Sequence, residues 1–361
     1  MKTEFDTGYY SCKIGQLAEG CESCIKGKKL VLFITGTCPR KCWYCPVSDD
    51  KFQHDVIYAN ETKIETPDGA ISETKLCSSR GAGITGGDPL TRVKRCVEYI
   101  QRFKEEFGKG FHIHLYTSFD LVNEDNLKEL FDSGLDEIRF HPEFKDKKYW
   151  NRIEIARKFL WKIGIEIPCI PDIKEETYEI IEYFKDKIDF INLNELEAAD
   201  CERNEVFSRG YKSKDFYSYG IKGSEEFAIE IMRKYSGMNI HFCTSKLKNT
   251  VQLGNRIKLI AKNVKKNYDI MTPEGSLIRG AVYLSKEKKK FTKEELDMIK
   301  NKISNEFNIK DLDIDLLKNR ILTSKSLIIK NKDKLKKLGY FPAIVEELAT
   351  GDLFEIEIEF L

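Results

Sequence analysis

The 361-residue sequence has no uninterrupted apolar run approaching the roughly 20 residues that a helix needs to span a bilayer. Its first residues, MKTEFDTGYYSCKIG, lack the apolar core of a signal peptide. Neither sign of charge predominates, since 60 Lys and Arg residues face 59 Asp and Glu residues, which gives a net charge of +1. Global charge therefore directs the chain neither to nucleic acid nor to a membrane surface. We expect a cytoplasmic protein with no membrane partner.

Cysteine, by contrast, is plentiful, at 11 residues. An odd number without a secretory signal favours a reducing compartment and metal binding over disulfides. The segment Lys29–Ser48, KLVLFITGTCPRKCWYCPVS, begins with the apolar run Leu30–Ile34, which predicts a buried strand ended by glycine. Parallel α/β folds place their chemistry on the loops at the carboxyl ends of such strands. The loop predicted here contains three cysteines: Cys38, Cys42 and Cys45.

The C-x3-C-x2-C spacing of these cysteines indicates a soft metal or an iron–sulfur cluster. In a chain with this many cysteines, chance would produce the spacing only about 0.01 times. A closed structural zinc site would need a fourth ligand, and none lies between Lys29 and Ser48. Three protein ligands would leave one iron of a [4Fe–4S] cube open to an exogenous ligand. A zinc knuckle or a set of buried thiols is the alternative interpretation.

A second motif, Gly86-Gly87-Asp88-Pro89, ends another apolar strand, Ala82–Thr85. Together with the cysteine triad and the aromatic Tyr44 before the third cysteine, it resembles the radical S-adenosylmethionine (radical SAM) superfamily. The family's element is GGEP, and here Asp88 stands in place of its Glu. The two motifs lie in the family's order on consecutive predicted strands, and the resemblance spans residues 29–245. Within the superfamily the chain resembles an archaeal group likened to the pyruvate formate-lyase activating enzymes.

This resemblance implies a catalytic centre in which the three cysteines hold a [4Fe–4S] cluster whose open iron binds SAM. An electron from a reduced ferredoxin or flavodoxin would cleave SAM to methionine and a 5′-deoxyadenosyl radical, which abstracts hydrogen from a substrate. Gly86 to Pro89 would contact the amino group of SAM, and the backbone around Tyr44 would contact the adenine. By analogy with the family, three residues at predicted strand ends are candidates for contacts to the ribose or carboxylate of SAM: Thr117, Ser118 and His141.

Apolar strands and amphipathic helices alternate from residue 29 to residue 245, which predicts an α/β fold with a parallel sheet. The predicted strands are 29–36, 82–86, 111–117, 136–141, 164–170, 188–194 and 238–243. Thr91–Phe107 and Asp146–Ile163 are among the predicted helices, and glycines should end several of them: Gly108, Gly134 and Gly164. The resemblance adds the closing geometry, a partial (β/α)6 TIM-like barrel that is open on one side for the substrate.

Three of the predicted strands alternate polar and apolar residues, whereas buried parallel strands are normally apolar on both faces. The apolar set should face the helices, so the polar set should line the lumen as a substrate cavity. Individually, each of these residues could equally be a hydrogen-bonded core group. The predicted cavity residues are His112, His114, Tyr116, Arg139, Asn192 and Asn194.

Residues 1–28 form an N-terminal extension with a C-x2-C pair, Cys21 and Cys24. Cys243 at the end of a predicted strand, with Cys12 or His241 as fourth ligand, could complete a second site that holds zinc or an auxiliary iron–sulfur cluster. The alternative is a thiol pair near the main cluster and a core cysteine. Three further cysteines lie in apolar surroundings and are expected in the core: Cys77, Cys96 and Cys169.

Residues 246–268 contain no acidic residue but seven basic ones, and they predict a basic linking helix. Residues 269–361 predict a small α+β domain for substrate or partner recognition, and this domain has no cysteine or histidine with which to hold a cluster. Three functions follow from these features. The chain could be a radical SAM enzyme acting on a small molecule or peptide, a tRNA-modifying radical SAM enzyme, or a non-enzymatic metal-binding module. The unidentified partner would accordingly be tRNA or a protein.

Overall fold

The structure is a computed structural model that describes residues 4–285 and 290–361. The chain divides into two compact units, Met1–Leu253 and Gly254–Leu361. Within the described residues, no helix has both the length and the apolar character to cross a bilayer.

The described part of the first unit is built on one ten-stranded sheet. In chain order its strands are β1 (Cys12–Ile14), β2 (Leu30–Phe33), β3 (Ile57–Ala59), β4 (Thr62–Ile64), β5 (Gly81–Thr85), β6 (His112–Ser118), β7 (Glu137–His141), β8 (Lys162–Cys169), β9 (Phe190–Glu195) and β10 (Ile240–Cys243). Their spatial order is β1-β10-β9-β8-β7-β6-β5-β2-β3-β4. The seven strands from β10 to β2 are parallel, and β1, β3 and β4 pair antiparallel at the two edges.

One helix precedes the parallel strands, and six others connect them in the described chain. They are α1 (Glu19–Ile25), α2 (Pro67–Leu76), α3 (Val93–Phe107), α4 (Glu124–Asp132), α5 (Ile153–Ala156), α6 (Lys174–Phe184) and α7 (Ser224–Lys234). The amphipathic spacing of α3 buries Cys96, Tyr99, Ile100 and Phe103 against the sheet. The helix ends at Gly108, whose positive φ of 80° suits glycine. This alternation confirms the predicted α/β fold with a large parallel sheet.

The predicted helix Asp146–Ile163 was wrong over most of its length. Only a 3₁₀ turn, Trp150–Arg152, and the single turn of α5 are helical, and β8 already begins at Lys162. Gly164 is therefore not a helix cap but a strand residue. A Cβ atom on Gly164 would overlap the ring of Phe190 on the neighbouring strand, so glycine is needed there for close packing.

The parallel strands place their apolar side chains in one core beneath the helices. Ile113 and Leu115 on β6, Ile138 and Phe140 on β7, and Ile165 on β8 are all fully buried there. Residues of the opposite parity, from all seven parallel strands, line one common cavity. A flat sheet could not bring seven strands around one cavity, because neighbouring strands lie about 4.8 Å apart. The sheet is therefore curved around a lumen.

The second unit is an antiparallel sheet with helices, as predicted for an α+β domain. Its described elements are α8 (Leu253–Val264), which begins at the boundary, β11 (Ile270–Met271), β12 (Ser276–Tyr283), α9 (Lys293–Phe307), β13 (Asp313–Asp315), β14 (Arg320–Thr323), α10 (Lys325–Lys337), β15 (Phe341–Leu348) and β16 (Glu355–Phe360). The strand order is β13-β14-β12-β15-β16, with β11 beside β12. A reciprocal capping box between Thr292 and Glu295 begins α9.

The basic segment 246–268 crosses the boundary between the units, and most of its basic residues are exposed, with Lys248 as an exception. Its first part forms a π-helical turn, Leu247–Gln252, ahead of α8. Lys248 in this turn is paired within the first unit, where its Nζ lies 2.6 Å from Glu197 Oε1. Lys248 therefore does not contribute to a solvated basic face.

Candidate functional site

The three cysteines of the C-x3-C-x2-C motif lie on the long loop between β2 and β3, at the carboxyl end of the parallel strands. All three are reduced and partly buried, and all three line the common cavity, whose volume is about 510 Å³. A turn with a 3.1 Å hydrogen bond from Cys45 N to Cys42 O orders the second half of the motif. The thiols Cys38, Cys42 and Cys45 thus share one loop and one opening.

The G-G-D-P element at the end of β5 holds the beginning of this cysteine loop. Gly87 N donates to Thr35 O at 2.7 Å, and Asp88 N donates to Thr37 O at 2.8 Å. A Cβ atom on Gly87 would lie 2.5 Å from the Thr37 carbonyl oxygen, and one on Gly86 would overlap the Thr35 carbonyl oxygen. Both glycines are therefore required by the close approach of two backbone segments.

Asp88 is buried and joins this element to the end of β6. Its Oδ1 accepts from Leu90 N at 3.0 Å and from the Thr117 hydroxyl at 2.7 Å. Its Oδ2 accepts from Ser118 N at 3.2 Å and from the Ser118 hydroxyl at 2.6 Å. Burial raises the pKa of Asp88, while these hydrogen bonds lower it. The predicted SAM residues Asp88, Thr117 and Ser118 therefore form one hydrogen-bonded group.

Tyr44 and His141, also predicted to contact SAM, bond to each other across the cavity. The Tyr44 hydroxyl lies 2.8 Å from His141 Nε2, and His141 Nδ1 lies 2.8 Å from the Glu166 carbonyl oxygen. Because a carbonyl only accepts, His141 Nδ1 carries the hydrogen and Nε2 accepts from Tyr44. Burial, assisted by Arg40, lowers the pKa of His141 to about 4. The imidazole is consequently neutral and fixed in one tautomer.

The loop between β9 and α7, residues 196–223, braces the outer side of the cysteine loop. Glu205 N donates to Trp43 O at 2.7 Å, and the Cys201 thiol lies 3.5 Å from Cys45 O. The rings of Trp43 and Tyr211 stack with centroids 5.6 Å apart. Sequence reasoning missed this brace, although the position of Cys201 just beyond a predicted strand end was an available signal.

Arg40, between the first two cysteines, was missed as well. Its Nη1 donates to His141 O at 2.8 Å, and its Nε lies 2.9 Å from Asp120 Oδ2. No sequence pattern identifies Arg40, because its partners lie at the ends of other strands and are distant in sequence. The guanidinium ties the cysteine loop to the ends of β6 and β7.

Deeper in the lumen, the cavity wall is polar and charged. Arg139 lies at its centre, with Nη2 2.6 Å from Glu137 Oε1 and Nη1 2.9 Å from Glu166 Oε2. Tyr116 lies 3.2 Å from Arg139 Nη1, and Asn194 donates to Glu166 Oε1 at 2.9 Å. The same alternation, applied to strand 164–170, would have identified Glu166 between Ile165 and Ile167.

Five of the six predicted cavity residues do line this cavity: His114, Tyr116, Arg139, Asn192 and Asn194. The sixth, His112, does not. It is the first residue of β6, two residues before His114. Its Nδ1 is 2.8 Å from Lys29 Nζ, and its Nε2 is 3.5 Å from Glu137. Strand parity placed His112 on the lumen side but could not show where along the strand the cavity ends.

Part of the cavity is lined by the residues predicted for a second metal site. Helix α1 brings Cys21 and Cys24 against it, and β10 brings His241 and Cys243. Cys12 as an alternative ligand was wrong. It pairs directly with Phe242 in the sheet and belongs to the core beneath the helices, on the face opposite His241. Cys77, Cys96 and Cys169 are buried in the protein interior, away from the cavity lining.

The arrangement of the three thiols bears on what they could bind. Among the described residues, no three His, Cys, Asp or Glu side chains converge at single-ion distances. Ligands of a cube bind different irons and are therefore spaced more widely. Burial raises the pKa of Cys38 to about 12 and also raises the pKa of Cys42 and of Cys45. Thiolates in such a place need a bound cation to compensate the lost hydration.

One family model and several curated proteins match the sequence. Residues 32–194 match the family model described as Radical SAM superfamily. The Methanocaldococcus jannaschii protein named "Putative glycyl-radical enzyme activating enzyme MJ0021" is 39% identical over 99% of this chain and 96% of its own length. A biotin synthase of Persephonella marina is 26% identical over 32% of this chain and 34% of its own.

Solved structures share little sequence with this chain. Streptococcus suis SuiB bound to S-adenosylmethionine has a TM-score of 0.41 and 14% identity, and the match covers 60% of this chain and 50% of SuiB. Escherichia coli coproporphyrinogen III oxidase, a radical SAM enzyme, has a TM-score of 0.38 and 11% identity, with 90% of this chain and 94% of the oxidase covered.

Proposed function

This chain belongs to the radical SAM superfamily, and from that membership we propose that Cys38, Cys42 and Cys45 hold a [4Fe–4S] cluster beside a SAM molecule in the common cavity. When bound, the cluster supplies the electron that cleaves SAM to methionine and a 5′-deoxyadenosyl radical, which takes hydrogen from the substrate. The observation that carries the proposal is that the three thiols and the G-G-D element line the same cavity.

Within this proposal, Asp88 positions its neighbours rather than binding SAM itself. A carboxylate offers about four acceptor sites, and Leu90, Thr117 and Ser118 already fill them. The contact to the SAM amino group would then fall to main-chain groups of Gly86 and Gly87. Both glycines line the cavity and lie against the cysteine loop. Asp in place of the family's Glu is consistent with this inward role.

Tyr44, His141 and Arg40 would keep the SAM site closed and rigid. The Tyr44–His141 hydrogen bond spans from the cysteine loop to β7, and Arg40 holds the same strand end through the His141 carbonyl. Because both ring nitrogens of His141 are hydrogen-bonded and its pKa is about 4, the imidazole stays neutral near pH 7. The electron would come from a reduced ferredoxin or flavodoxin.

The substrate would bind in the charged lumen around Arg139 and Glu166. The name of the Methanocaldococcus relative favours a glycine residue of a protein partner as the group that loses hydrogen. A tRNA substrate is the second candidate, since most basic residues of 246–268 are exposed, but no enzyme relative named here supports it. We therefore propose a protein substrate ahead of tRNA.

Anaerobic reconstitution with iron and sulfide, followed by dithionite and SAM, tests the cluster assignment. We expect 5′-deoxyadenosine from the wild type and from Cys12→Ala, because Cys12 faces the helices. Cys42→Ala should lose both the cluster absorbance and the product. Continued 5′-deoxyadenosine formation by Cys42→Ala would remove the triad from the mechanism.

Deuterium transfer tests the substrate class. The reconstituted enzyme is incubated with extract of the source organism grown on glycine deuterated at Cα, after the extract is separated by size. We expect 5′-deoxyadenosine to gain deuterium from the macromolecular fraction. Deuterium transfer from the small-molecule fraction alone would contradict a protein substrate. Loss of deuterium transfer after ribonuclease treatment would favour tRNA.

A further inference from the structure

The cavity wall contains a second group of thiols that the chemistry at the cysteine loop does not use. Cys21 and Cys24 lie on consecutive turns of α1, and Cys243 ends β10, yet all three line the same cavity. Four of the other cysteines, at positions 12, 77, 96 and 169, are buried away from the cavity lining. Three thiols from two distant segments are thus brought to one cavity, close enough to interact electrostatically.

His241 adds a nitrogen ligand to this group. Its Nδ1 lies 2.8 Å from Asn192 Oδ1, and the Cys21 thiol lies 3.7 Å from the same oxygen. His241 is only 4% exposed, and its Nε2 has no hydrogen-bond partner in the described residues. Since the amide oxygen fixes the hydrogen on Nδ1, the lone pair of Nε2 is left directed at the cavity. Metal-binding histidines are typically oriented by such an outer hydrogen bond.

Cations surround the group and would stabilise its thiolates. Lys29, Arg139 and Lys248 all interact electrostatically with one or more of the three cysteines. Carboxylates are also present, since Glu137 and Glu166 act on Cys21, and Glu197 pairs with Lys248. Burial raises the pKa of Cys21 to about 11.

From this arrangement we propose that Cys21, Cys24, Cys243 and His241 bind a second [4Fe–4S] cluster in the part of the cavity that α1 and β10 line. A single zinc ion is disfavoured because no three such side chains converge at single-ion distances in the described chain. Three cysteines and one histidine satisfy the four irons of a closed cube. The proposal does not rest on catalysis at the first cluster.

The second cluster is best tested in a protein that has lost the first. In the Cys38→Ala/Cys42→Ala/Cys45→Ala variant, anaerobic reconstitution should still give about four iron and four sulfide per chain. Adding Cys21→Ala, Cys24→Ala and Cys243→Ala should reduce both to background, whereas adding Cys12→Ala should not. Circular dichroism before reconstitution shows whether each variant is folded. Where an alanine variant is unfolded, the corresponding Cys→Ser variant is used instead.

Electron paramagnetic resonance distinguishes a bound cluster from adventitious iron. We expect the dithionite-reduced triad variant to show one cluster signal, whose g-values shift in His241→Ala while iron content stays within about a quarter of the parent value. The proposal would be overturned if the folded triad variant bound no iron above background. It would also be overturned if zinc replaced iron at this site when both metals were supplied at equal concentration. Neither result would affect 5′-deoxyadenosine formation at the first cluster, so the two assignments fail separately.

Discussion

Buried charged residues of the lumen are stabilised by ion pairs with one another. Glu137 and Arg139 are each 1% exposed, and they lie on one strand two residues apart. Two unlike charges in this position repay part of their desolvation, but either one alone would not. Removing one partner should therefore cost far more than removing a surface ion pair.

We expect Glu137→Gln to lower the free energy of unfolding of the first unit by about 3 kcal/mol, since the buried Arg139 charge then keeps only the partly exposed Glu166 as carboxylate partner. Urea unfolding followed by tryptophan fluorescence measures this, because Trp43, Trp150 and Trp161 all lie in the first unit. The control, Glu129→Gln, breaks an exposed pair with Lys94 and should cost less than about 1 kcal/mol. Equal losses in the two variants would contradict the argument.

The same carboxylate predicts how stability depends on pH. Burial alone would raise the pKa of Glu137, but Arg139 and His112 outweigh burial and lower it from 4.5 to about 2. The contribution of Glu137 is therefore complete above about pH 4.5 and is lost as pH falls towards 2. Between pH 6 and pH 3, the unfolding free energy of the apo-protein should fall more steeply in the wild type than in Glu137→Gln. Parallel curves would show that Glu137 is not held ionised.

Gly87 gives a residue-scale test of the motif at the end of β5. Gly87→Ala should push the cysteine loop outward, destabilise the protein by about 2 kcal/mol and lower the iron bound on reconstitution. Gly110→Ala is the matched control, because a Cβ atom at Gly110 meets nothing within 4 Å. Wild-type iron content in Gly87→Ala would mean that the loop tolerates the displacement.

The loop of residues 196–223, which packs against the cysteine loop, should slow the loss of the proposed cluster. Tyr211→Ala removes the ring stacked on Trp43, a contact worth about 1 kcal/mol, so iron loss to a chelator should accelerate about fivefold. Tyr217→Ala is the control on the same loop, since Tyr217 is 91% exposed. Absorbance decay at the cluster band measures both rates, and equal rates would exclude a bracing role.

The elements also show how far sequence patterns reach. The seven parallel strands were predicted because each is a short apolar run bounded by turn residues, and this signal is local. The helix Asp146–Ile163 failed because its apolar residues continue past Ala156, while β7 and β9 require a strand between them from Lys162 onward. Hydrogen bonding to two neighbours outweighed local helix propensity there.

Some residues of the candidate site were likewise predictable from local sequence patterns, and others were not. The cysteine triad and the G-G-D-P element were identifiable because their ligands are contiguous in sequence. Arg40, Cys201 and Tyr211 were not identified, because their roles depend on which strand ends and loops become neighbours. Alternation on a strand indicates a face, as it did for His114 and Arg139. It does not give depth, which is why His112 was misplaced.

At the scale of the whole molecule, each of the two units has its own hydrophobic core. The family membership and the full-length enzyme relative set aside the non-enzymatic metal-binding module. In the second unit, Arg320 is fully buried and pairs with Asp315, Glu347 and Glu355. This group of charges provides a way to perturb the second unit directly.

We expect Arg320→Met to destabilise the second unit by about 3 kcal/mol, because it leaves Glu347 buried with fewer partners. Hydrogen exchange with mass spectrometry should show the largest loss of protection within Gly254–Leu361, a region without tryptophan. Lys318→Met, which removes a more exposed contact to Glu355, should change protection little. Protection lost mainly in the first unit would contradict this assignment.

The brace over the cysteine loop has a consequence for how the protein matures. The three triad thiols emerge from the ribosome by residue 45, but the residues that hold their loop in shape come more than 150 positions later, at Cys201, Glu205 and Tyr211. On the proposed assignment, a nascent polypeptide therefore exposes its triad thiols long before it can retain iron. Cofactor insertion should accordingly be a late, post-translational event in the life of this protein.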